Sequence, residues 1–158
     1  MTRRLIAFDT CTIVHLLAQG PWEPKIQPIY QHAVSKKILI VVSELTIAEC
    51  CKLKYPDGTE VPMADAKATI GGFFQRTFVV RRSVTDQESW LAAEYKRSYG
   101  FKTCDAVIAA TAAIAGSEAL ITTDGCGNAT KGKLLSIPKI VRPDGGVMEI
   151  LPPDAWAL

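Results

Sequence analysis

The sequence predicts an α/β fold in which helices cover both faces of a central parallel sheet. Apolar runs of strand length alternate along the chain with longer segments of helical periodicity. Turn residues separate these segments, as in folds built from strand–helix–strand units. We therefore expect a three-layer sandwich with a sheet of four to five strands. A length of 158 residues suits one domain, 1–158, with a core at about 4–142 and a tail at 143–158.

The first half of the chain is predicted to hold two strands and four helices. The strands are the apolar runs at 5–8 and 37–42, the second of which is rich in β-branched residues. The helices are expected at about 10–19, at about 25–36, after an N-cap at Ser43 and from about 64. Turn residues predict an exposed loop at 55–62, and Gly71-Gly72 is expected to end or bend the fourth helix.

The second half is predicted to complete the sheet. Its strands are expected at 77–81, 119–123 and 138–141, with one further strand at 147–151 in an otherwise Pro-rich tail. Thr85 is a good N-cap for a helix that runs to about Tyr99, and Gly100 suits the left-handed position after it. Thr103 is expected to cap an alanine-rich helix at 104–115, whose small side chains allow close packing.

Four carboxylates are predicted to gather at the carboxyl edge of this sheet, where ligands bind in parallel α/β folds. Asp9 ends the first strand, and Asp124 ends the fourth. Glu49 is expected on the buried face of the third helix. Asp105 lies in the first turn of the alanine-rich helix.

Each of these acids also has a purely structural interpretation. Asp9 is a good helix N-cap, and Glu49 could form a surface pair with Lys52. Asp105 is favoured by the dipole of its helix. Asp124-Gly125 is a common turn signal. The joint pattern of the four, rather than any one of them, indicates a site.

Taken together, the acids predict a metal site. Four carboxylates at one edge of a sheet would repel one another strongly without a bound cation. All-oxygen ligation selects hard ions, so we expect Mg²⁺ or Mn²⁺. The net charge is +2, and if four of the 16 acidic residues are neutralised, 12 remain against 18 basic ones. That surplus suits a polyanionic partner, although an ordinary solvated surface also explains it.

Five cysteines in a chain without a signal peptide indicate reduced thiols rather than a disulfide framework. Among those within two residues of a predicted site acid are Cys11, Cys50, Cys104 and Cys126. Neighbouring helical side chains point about 100° apart, so we expect small buried thiols behind the acids rather than zinc ligands. No apolar run reaches the length of a membrane span, and the chain enters its first strand directly, which predicts a cytoplasmic protein.

At its four acids the chain resembles the PIN-domain nucleases and, among them, the VapC ribonuclease toxins. Four segments in register carry the resemblance, which extends over about 4–142: 8–10, 43–49, 104–112 and 120–124. The resemblance implies a PIN-like fold with four acids at the carboxyl edge of the sheet. It also implies Mg²⁺- or Mn²⁺-dependent hydrolysis of RNA phosphodiester bonds.

The resemblance implies a role for each acid. Asp9 and Asp105 would be direct metal ligands, and Asp124 would complete the metal site or hold a water of the metal. Glu49 would orient or deprotonate the attacking water. Two hydroxyls would support these ligands from behind: Thr10 and Thr122. The family also implies a homodimer and, for a toxin, an antitoxin protein whose tail covers the active site.

Candidates for RNA contact follow from charge and aromaticity. The basic candidates are Lys102, Lys131 and Arg81, with Lys133 and Arg82 beside them, and each also suits an ordinary exposed surface. The aromatic candidates are Trp22, Tyr55 and Tyr99, which could stack on unpaired bases or simply pack. A catalytically idle PIN-like module that binds RNA or protein is the main alternative function. A haloacid-dehalogenase-type phosphatase fits less well, because Cys11 replaces the second Asp of its motif.

Overall fold

The computed structural model describes residues 2–50 and 53–157. The strands in these ranges are β1 (Arg4–Phe8), β2 (Ile38–Ser43), β3 (Val79–Arg82), β4 (Ala119–Ile121), β5 (Lys139–Val141) and β6 (Val147–Leu151). The α-helices are α1 (Thr10–Leu17), α2 (Glu23–Val34), α3 (Leu45–Glu49), α4 (Met63–Phe74), α5 (Asp86–Tyr99) and α6 (Thr103–Ile114). A single 3₁₀ turn, Leu134–Ser136, precedes β5.

The strands form one sheet in the order β3-β2-β1-β4-β6-β5. Neighbouring strands are parallel except for β5 and β6, which form an antiparallel pair at the edge. The chain first adds β2 and β3 on one side of β1 and then crosses to its other side with β4. The α/β fold class is therefore confirmed, with six strands where four to five, and a further one in the tail, were expected.

Alternate residues of the central strands face opposite layers of helices, as the pleat of a strand requires. On β1, Ile6 and Phe8 face the core formed with α1, α2 and α4. Ala7 between them faces the second core, formed with α5 and α6. Ala109 and Ala110 of α6 are fully buried in that core, so the small side chains let the helix lie close to the sheet. The three-layer arrangement follows from this alternation.

The C-terminal segment is part of the sheet. β6 lies between β4 and β5, and its Met148 and Ile150 are buried. The Thr122 amide donates a hydrogen bond of 3.0 Å to the carbonyl of Leu151. Trp156 packs into the first core. The structured core therefore extends past the expected boundary at 142.

Local capping chemistry was predicted correctly at both ends of α5. Thr85 occupies the N-cap, and its amide donates a hydrogen bond of 3.0 Å to Glu88 Oε2. Gly100 adopts a left-handed conformation, with a φ of 72°, directly after the helix. These positions depend on contacts within one turn of chain, which a sequence displays directly.

Three expected helix boundaries are wrong. α4 runs through Gly71-Gly72 to Phe74, and neither glycine adopts a positive φ. Thr103 is already helical, because Lys102 takes the N-cap of α6. Ser43 remains in β2, although its hydroxyl still accepts a hydrogen bond of 3.3 Å from the Leu45 amide. None of the helices in the described ranges combines the length and apolar character that a membrane crossing needs.

Candidate active site

Asp9 is a buried carboxylate, 3% exposed, that directly follows β1 and caps α1. Its Oδ1 accepts a hydrogen bond of 2.7 Å from the Thr10 amide. Its Oδ2 accepts two more, at 2.7 Å from the Thr122 hydroxyl and at 3.0 Å from the Cys11 thiol. Burial raises the pKa of Asp9, these donors oppose the rise, and the negative charge of Glu49 adds to it. The capping interpretation and a position in the site are thus compatible.

Glu49 is the last residue of α3, and its side chain is exposed. The Thr10 hydroxyl donates a hydrogen bond of 2.6 Å to Glu49 Oε1 and lies 3.4 Å from the hydroxyl of Thr46. The expected position on a buried helical face is wrong, because α3 ends here and leaves the carboxylate at the surface. Its alternative partner, Lys52, lies outside the described residues.

Asp105 lies in the first turn of α6 and is half-buried. Burial is the largest cause that raises the pKa of Asp105 to about 7. The negative charges of Asp9, Asp124 and Glu49 raise it further, whereas the charge of Lys102 lowers it. Without a cation, this carboxyl is therefore partly protonated at neutral pH.

Asp124 follows β4 and is held by the segment that begins the 3₁₀ turn. Its Oδ1 lies 3.2 Å from Lys133 Nζ, and its Oδ2 accepts a hydrogen bond of 2.9 Å from the Leu134 amide. The Asp124 amide donates a hydrogen bond of 2.9 Å to the Thr122 hydroxyl. That hydroxyl in turn donates to Asp9. Thr122 therefore links the two acids that end strands.

All four acids line one open cleft of about 570 Å³ at the carboxyl edge of the sheet. The cleft lies between the ends of β1 and β4, where the chain switches sides of the sheet. In open parallel sheets this topological switch point is where ligands bind. The other lining residues are Thr10, Cys11, Val14, His15, Thr123, Gly125 and Lys133.

The family model of the PIN domain matches residues 6–125, about three quarters of the chain. The chain belongs to the PIN-domain family. The match confirms the resemblance that its four segments indicate, and the matched range contains all four acids of the cleft.

Two solved structures share the fold of this PIN domain. VapBC2 from Rickettsia felis, bound to a DNA fragment from their promoter, has a TM-score of 0.62 at 14% identity, covering 93% of this chain and 98% of its own. VapC20 of Mycobacterium tuberculosis, a sarcin–ricin-loop-cleaving toxin, has a TM-score of 0.59 at 20% identity, covering 77% of this chain and 91% of its own. At such identities the likeness establishes the fold. No curated protein matches the chain by sequence.

The acids of this PIN domain have the donor chemistry for a hard divalent cation, but they are not preassembled around one point. Over the described ranges, no three His, Cys, Asp or Glu side chains form a group that could hold a metal ion as it stands. Asp124 is engaged by Lys133, and Asp9 by Thr122. The oxygen donors and the raised pKa of Asp105 nevertheless fit a cation, because a cation relieves the repulsion among buried like charges.

Cys11, Cys104 and Cys126 are free thiols, and Cys51 lies outside the described residues. Cys50 is buried as expected, but three others are only half-buried: Cys11, Cys104 and Cys126. Cys11 belongs to the site, because it donates to Asp9 and accepts a hydrogen bond of 3.3 Å from the Thr123 amide. Burial raises the pKa of Cys11 to about 12, so the thiol keeps its proton.

Two of the three candidate lysines, Lys102 and Lys133, lie close to acids of the cleft of the PIN domain. Lys102 is exposed and close enough to Asp105 to lower the pKa of that carboxyl. Lys131 is exposed, with its alkyl chain against the turn that ends α5. Lys133 lines the cleft itself through its pair with Asp124.

The candidate arginines have partners elsewhere in the PIN domain. Arg81 pairs with Glu44 at 3.3 Å and lies 5.6 Å above the ring of Phe74, in a separate apolar groove beside α4. Arg82 pairs at 3.2 Å with the buried Glu88. Neither side chain lines the acidic cleft.

The three aromatic candidates differ in their surroundings. Tyr99 packs between Tyr95 and Phe101, with ring centroids 5.6 and 5.5 Å away. Tyr55 lines a different cavity, near the end of α1. Trp22 is half-buried and lines a second cleft that adjoins the acidic one.

Sequence reasoning missed the pair between Lys133 and Asp124. The available signal was the density of glycines between them: Gly125, Gly127 and Gly132 all adopt positive φ angles. Such glycines permit the tight turns that return the chain to its starting point. The turns were foreseeable, but the residue that they bring back to Asp124 was not.

Proposed function

We propose that this PIN domain is an endoribonuclease that requires Mg²⁺ or Mn²⁺ and hydrolyses RNA phosphodiester bonds. The observation that carries the proposal is the single cleft, lined by four acids, at the topological switch point of the sheet. Four carboxylates alone repel a phosphate, and a bound divalent cation reverses the sign of that interaction. The family to which the chain belongs supports the same chemistry.

Three aspartates are the proposed ligands: Asp9, Asp105 and Asp124. When bound, the cation would neutralise charge on the scissile phosphate and lower the pKa of a water molecule. Asp105 would give up the proton that its raised pKa lets it keep at neutral pH. Asp124 would exchange the ammonium group of Lys133 for the cation, leaving Lys133 free to hold a phosphate oxygen.

Glu49 is the proposed residue for proton transfer. Glu49 is the exposed acid of the cleft. Because its carboxylate already lies in contact with solvent, it can reach a water molecule beside the substrate. Its carboxylate would orient the attacking water and accept its proton. The Thr10 hydroxyl would keep Glu49 Oε1 in position, as Thr122 keeps Asp9.

We extend the proposal to a biological role as the toxin of a toxin–antitoxin pair. The support is the fold shared with VapBC2 and with the toxin VapC20. On this proposal the chain works in the cytoplasm as a homodimer, cuts RNA, and is held inactive by a cognate antitoxin protein.

One observation favours a second candidate, a catalytically idle module that binds RNA or protein. Asp124 is paired with Lys133, and no three potential ligands converge within the described part of the chain. A module of this kind would use the cleft without a metal. Metal binding therefore separates the two candidates.

Cleavage of total RNA by the purified protein tests the proposal. With Mn²⁺ we expect fragments whose ends map to defined sites, and no fragments with EDTA or with Asp9→Asn. Asp86→Asn, which removes an acid from the first turn of α5 instead, serves as the matched control and should cut normally. Metal-independent cutting, or cutting that survives Asp9→Asn, would contradict the mechanism. Absent cutting together with absent metal binding would support the idle module.

A further inference from the structure

A second open cleft, of about 620 Å³, adjoins the acidic cleft at Gly125, which lines both. Its walls come from three distant parts of the chain: the turn before α2 with Trp22, the loop after β4, and the segment after β6 with Pro152 and Asp154. Its size lies within the range of sites that bind small organic groups.

The two clefts form one continuous surface. Leu135 lines the second cleft, and its amide donates a hydrogen bond of 3.1 Å to the carbonyl of Asp124. Cys126, two residues after Asp124, also lines the second cleft. A flexible chain whose phosphate lies at the acids would therefore place a neighbouring unit in the second cleft.

Trp22 has the features of a stacking platform. Its side chain packs against the first core on one side and lines the cleft on another. Its carbonyl accepts hydrogen bonds of 3.0 and 3.1 Å from the amides of Lys25 and Ile26 at the start of α2. These hydrogen bonds hold the backbone of Trp22, and the packing against the core holds its ring before any ligand arrives. An indole held in this way can stack on the face of any nucleobase.

Asp154 supplies a negative charge to the second cleft, whereas the side chains that bind phosphate are positively charged. Its side chain is exposed and forms no hydrogen bond or ion pair with the residues that the structure describes. Next to a nucleic acid, a carboxylate repels the backbone and can accept hydrogen bonds only. The groups that suit it are the amino groups on base edges.

We propose that the second cleft is a base-binding subsite, in which Trp22 stacks on an unpaired RNA base and Asp154 accepts a hydrogen bond from its exocyclic amino group. The inference rests on the proposed function, which supplies the RNA. Guanine, adenine and cytosine carry such an amino group, whereas uracil has carbonyl oxygens at its exocyclic positions and donates on that edge only through its ring N–H. The subsite therefore selects against uracil beside the cleavage site.

Binding of short RNAs tests the subsite without cleavage. The probes are fluorescein-labelled hexacytidylate and hexauridylate, which are both pyrimidine chains and differ at the amino group. Fluorescence anisotropy with Mn²⁺ in a Glu49→Gln background, which keeps the three proposed metal ligands and removes the proposed proton acceptor, gives the two dissociation constants. We expect the cytidylate to bind about tenfold more tightly, in line with one good base contact.

Two variants assign that binding to residues. Asp154→Asn should remove most of the difference between the two hexamers. Trp22→Ala should weaken both about tenfold, a typical loss for one stacked base. Trp90→Ala, at a tryptophan that is 75% exposed on α5, and Asp86→Asn are the matched controls and should change neither constant. Trp22→Phe keeps a ring in the core and should bind within about twofold of the parent.

Three results would overturn the subsite: no binding of either hexamer, a cytidylate preference that Asp154→Asn leaves unchanged, or equal binding by the alanine variants at Trp22 and Trp90. Melting temperatures separate lost stacking from lost folding, and Trp22→Phe tests the ring in a folded protein. If total RNA is not cut but the hexamers behave as expected, the proposed function fails and the subsite stands.

Discussion

Single residues of the cleft differ in how their charge is compensated. Asp9 is the most buried of the four acids, but it receives three hydrogen bonds. The charge of Asp124 is compensated by the ammonium group of Lys133 and by the amide of Leu134. Within the described ranges the Asp105 carboxylate forms no hydrogen bond or ion pair, so only the charge of Lys102 opposes the effects of burial and the nearby acids on its pKa. Without a cation, the ionised form of Asp105 is therefore the least compensated charge of the cleft and destabilises the fold most.

That cost predicts a pH dependence of stability. A carboxyl whose pKa rises on folding is protonated in both states at low pH and then costs nothing. As the pH rises from the ordinary pKa of 3.8 towards about 7, the unfolded state loses its proton first, so Asp105 destabilises the fold increasingly. In EDTA we expect the melting temperature to fall between pH 5 and 7 more steeply for the wild type than for Asp105→Asn.

Thermal melts at four pH values check this expectation. Burial lowers the pKa of His15 in both proteins, so its contribution cancels in the comparison. Mg²⁺ should restore the wild-type melting temperature above pH 7, where the carboxyl is charged. Parallel pH profiles for the two proteins would show that Asp105 carries no such cost.

We expect Lys133 and the divalent cation to compete for the carboxylate of Asp124. The Lys133 ammonium lies 3.2 Å from Asp124 Oδ1, where the cation is proposed to bind. Lys133→Met removes the competing charge, so we expect Mn²⁺ to bind about fivefold more tightly, equivalent to the ~1 kcal/mol of a partly exposed ion pair. RNA should bind more weakly, because a phosphate contact is lost.

Calorimetric titration with Mn²⁺ measures the effect, and Lys131→Met, at an exposed neighbouring lysine, is the matched control. Unchanged or weaker Mn²⁺ binding would argue against displacement.

Among the elements, those governed by local chemistry were predictable and those governed by packing were not. The caps of α5 depend on neighbours within one turn, and both were foreseen. α4 continues through Gly71-Gly72 because Ala66, Ile70 and Phe73 bury one of its faces, and that burial outweighs two weak helix formers. The residues around 71–72 do not show which distant part of the chain will cover this face. The register of a helix against a distant core is information that local sequence lacks.

α4 offers a direct test of this explanation. A methyl group added at Gly72 meets nothing within 4 Å, and its backbone is helical. Gly72→Ala should therefore stabilise the protein by about 0.4–1 kcal/mol, because the unfolded chain loses more freedom than the folded one. Denaturant unfolding measures the change.

The matched control is Gly125→Ala in the loop of the cleft. There φ is 100°, and the added methyl group would lie 3.1 Å from the Cβ of Lys133. That variant should be destabilised and should loosen the pair between Lys133 and Asp124. A loss of stability in Gly72→Ala, comparable to that in Gly125→Ala, would show that α4 needs its glycines.

On the scale of the whole molecule, the order of strands decides where the site forms. Because the chain turns to the other side of β1 at β4, Asp9 and Asp124 end adjacent strands, although they are far apart in sequence. The gathering of the four acids could be predicted from strand–helix alternation and motif order. The supporting pairs could not, since the bonds of Thr122 to Asp9 and of Thr10 to Glu49 join separate elements whose side-chain geometry only the folded chain defines.

The position of β6 predicts the effect of truncation. It supplies the only strand partner of β5 in the described sheet and covers the outer edge of β4. A chain that stops at residue 146 should therefore lose cooperative thermal unfolding by circular dichroism. A chain that stops at 156 keeps β6 and the buried Trp156 and should melt within a few degrees of the full chain. Cooperative unfolding of the shorter chain would make the C-terminal segment an appendage.

Calorimetric titration of Mn²⁺ tests the central claim most directly, namely that the acids of the cleft form one metal centre. The proteins are the wild type, three single variants (Asp9→Asn, Asp105→Asn and Asp124→Asn) and the control Asp86→Asn. We predict saturable binding in the wild type and the control, and at least tenfold weaker binding in each of the three cleft variants, because each removes a ligand of the same ion. Equal binding by all five proteins, or binding by none of them, would contradict a metal centre in this cleft.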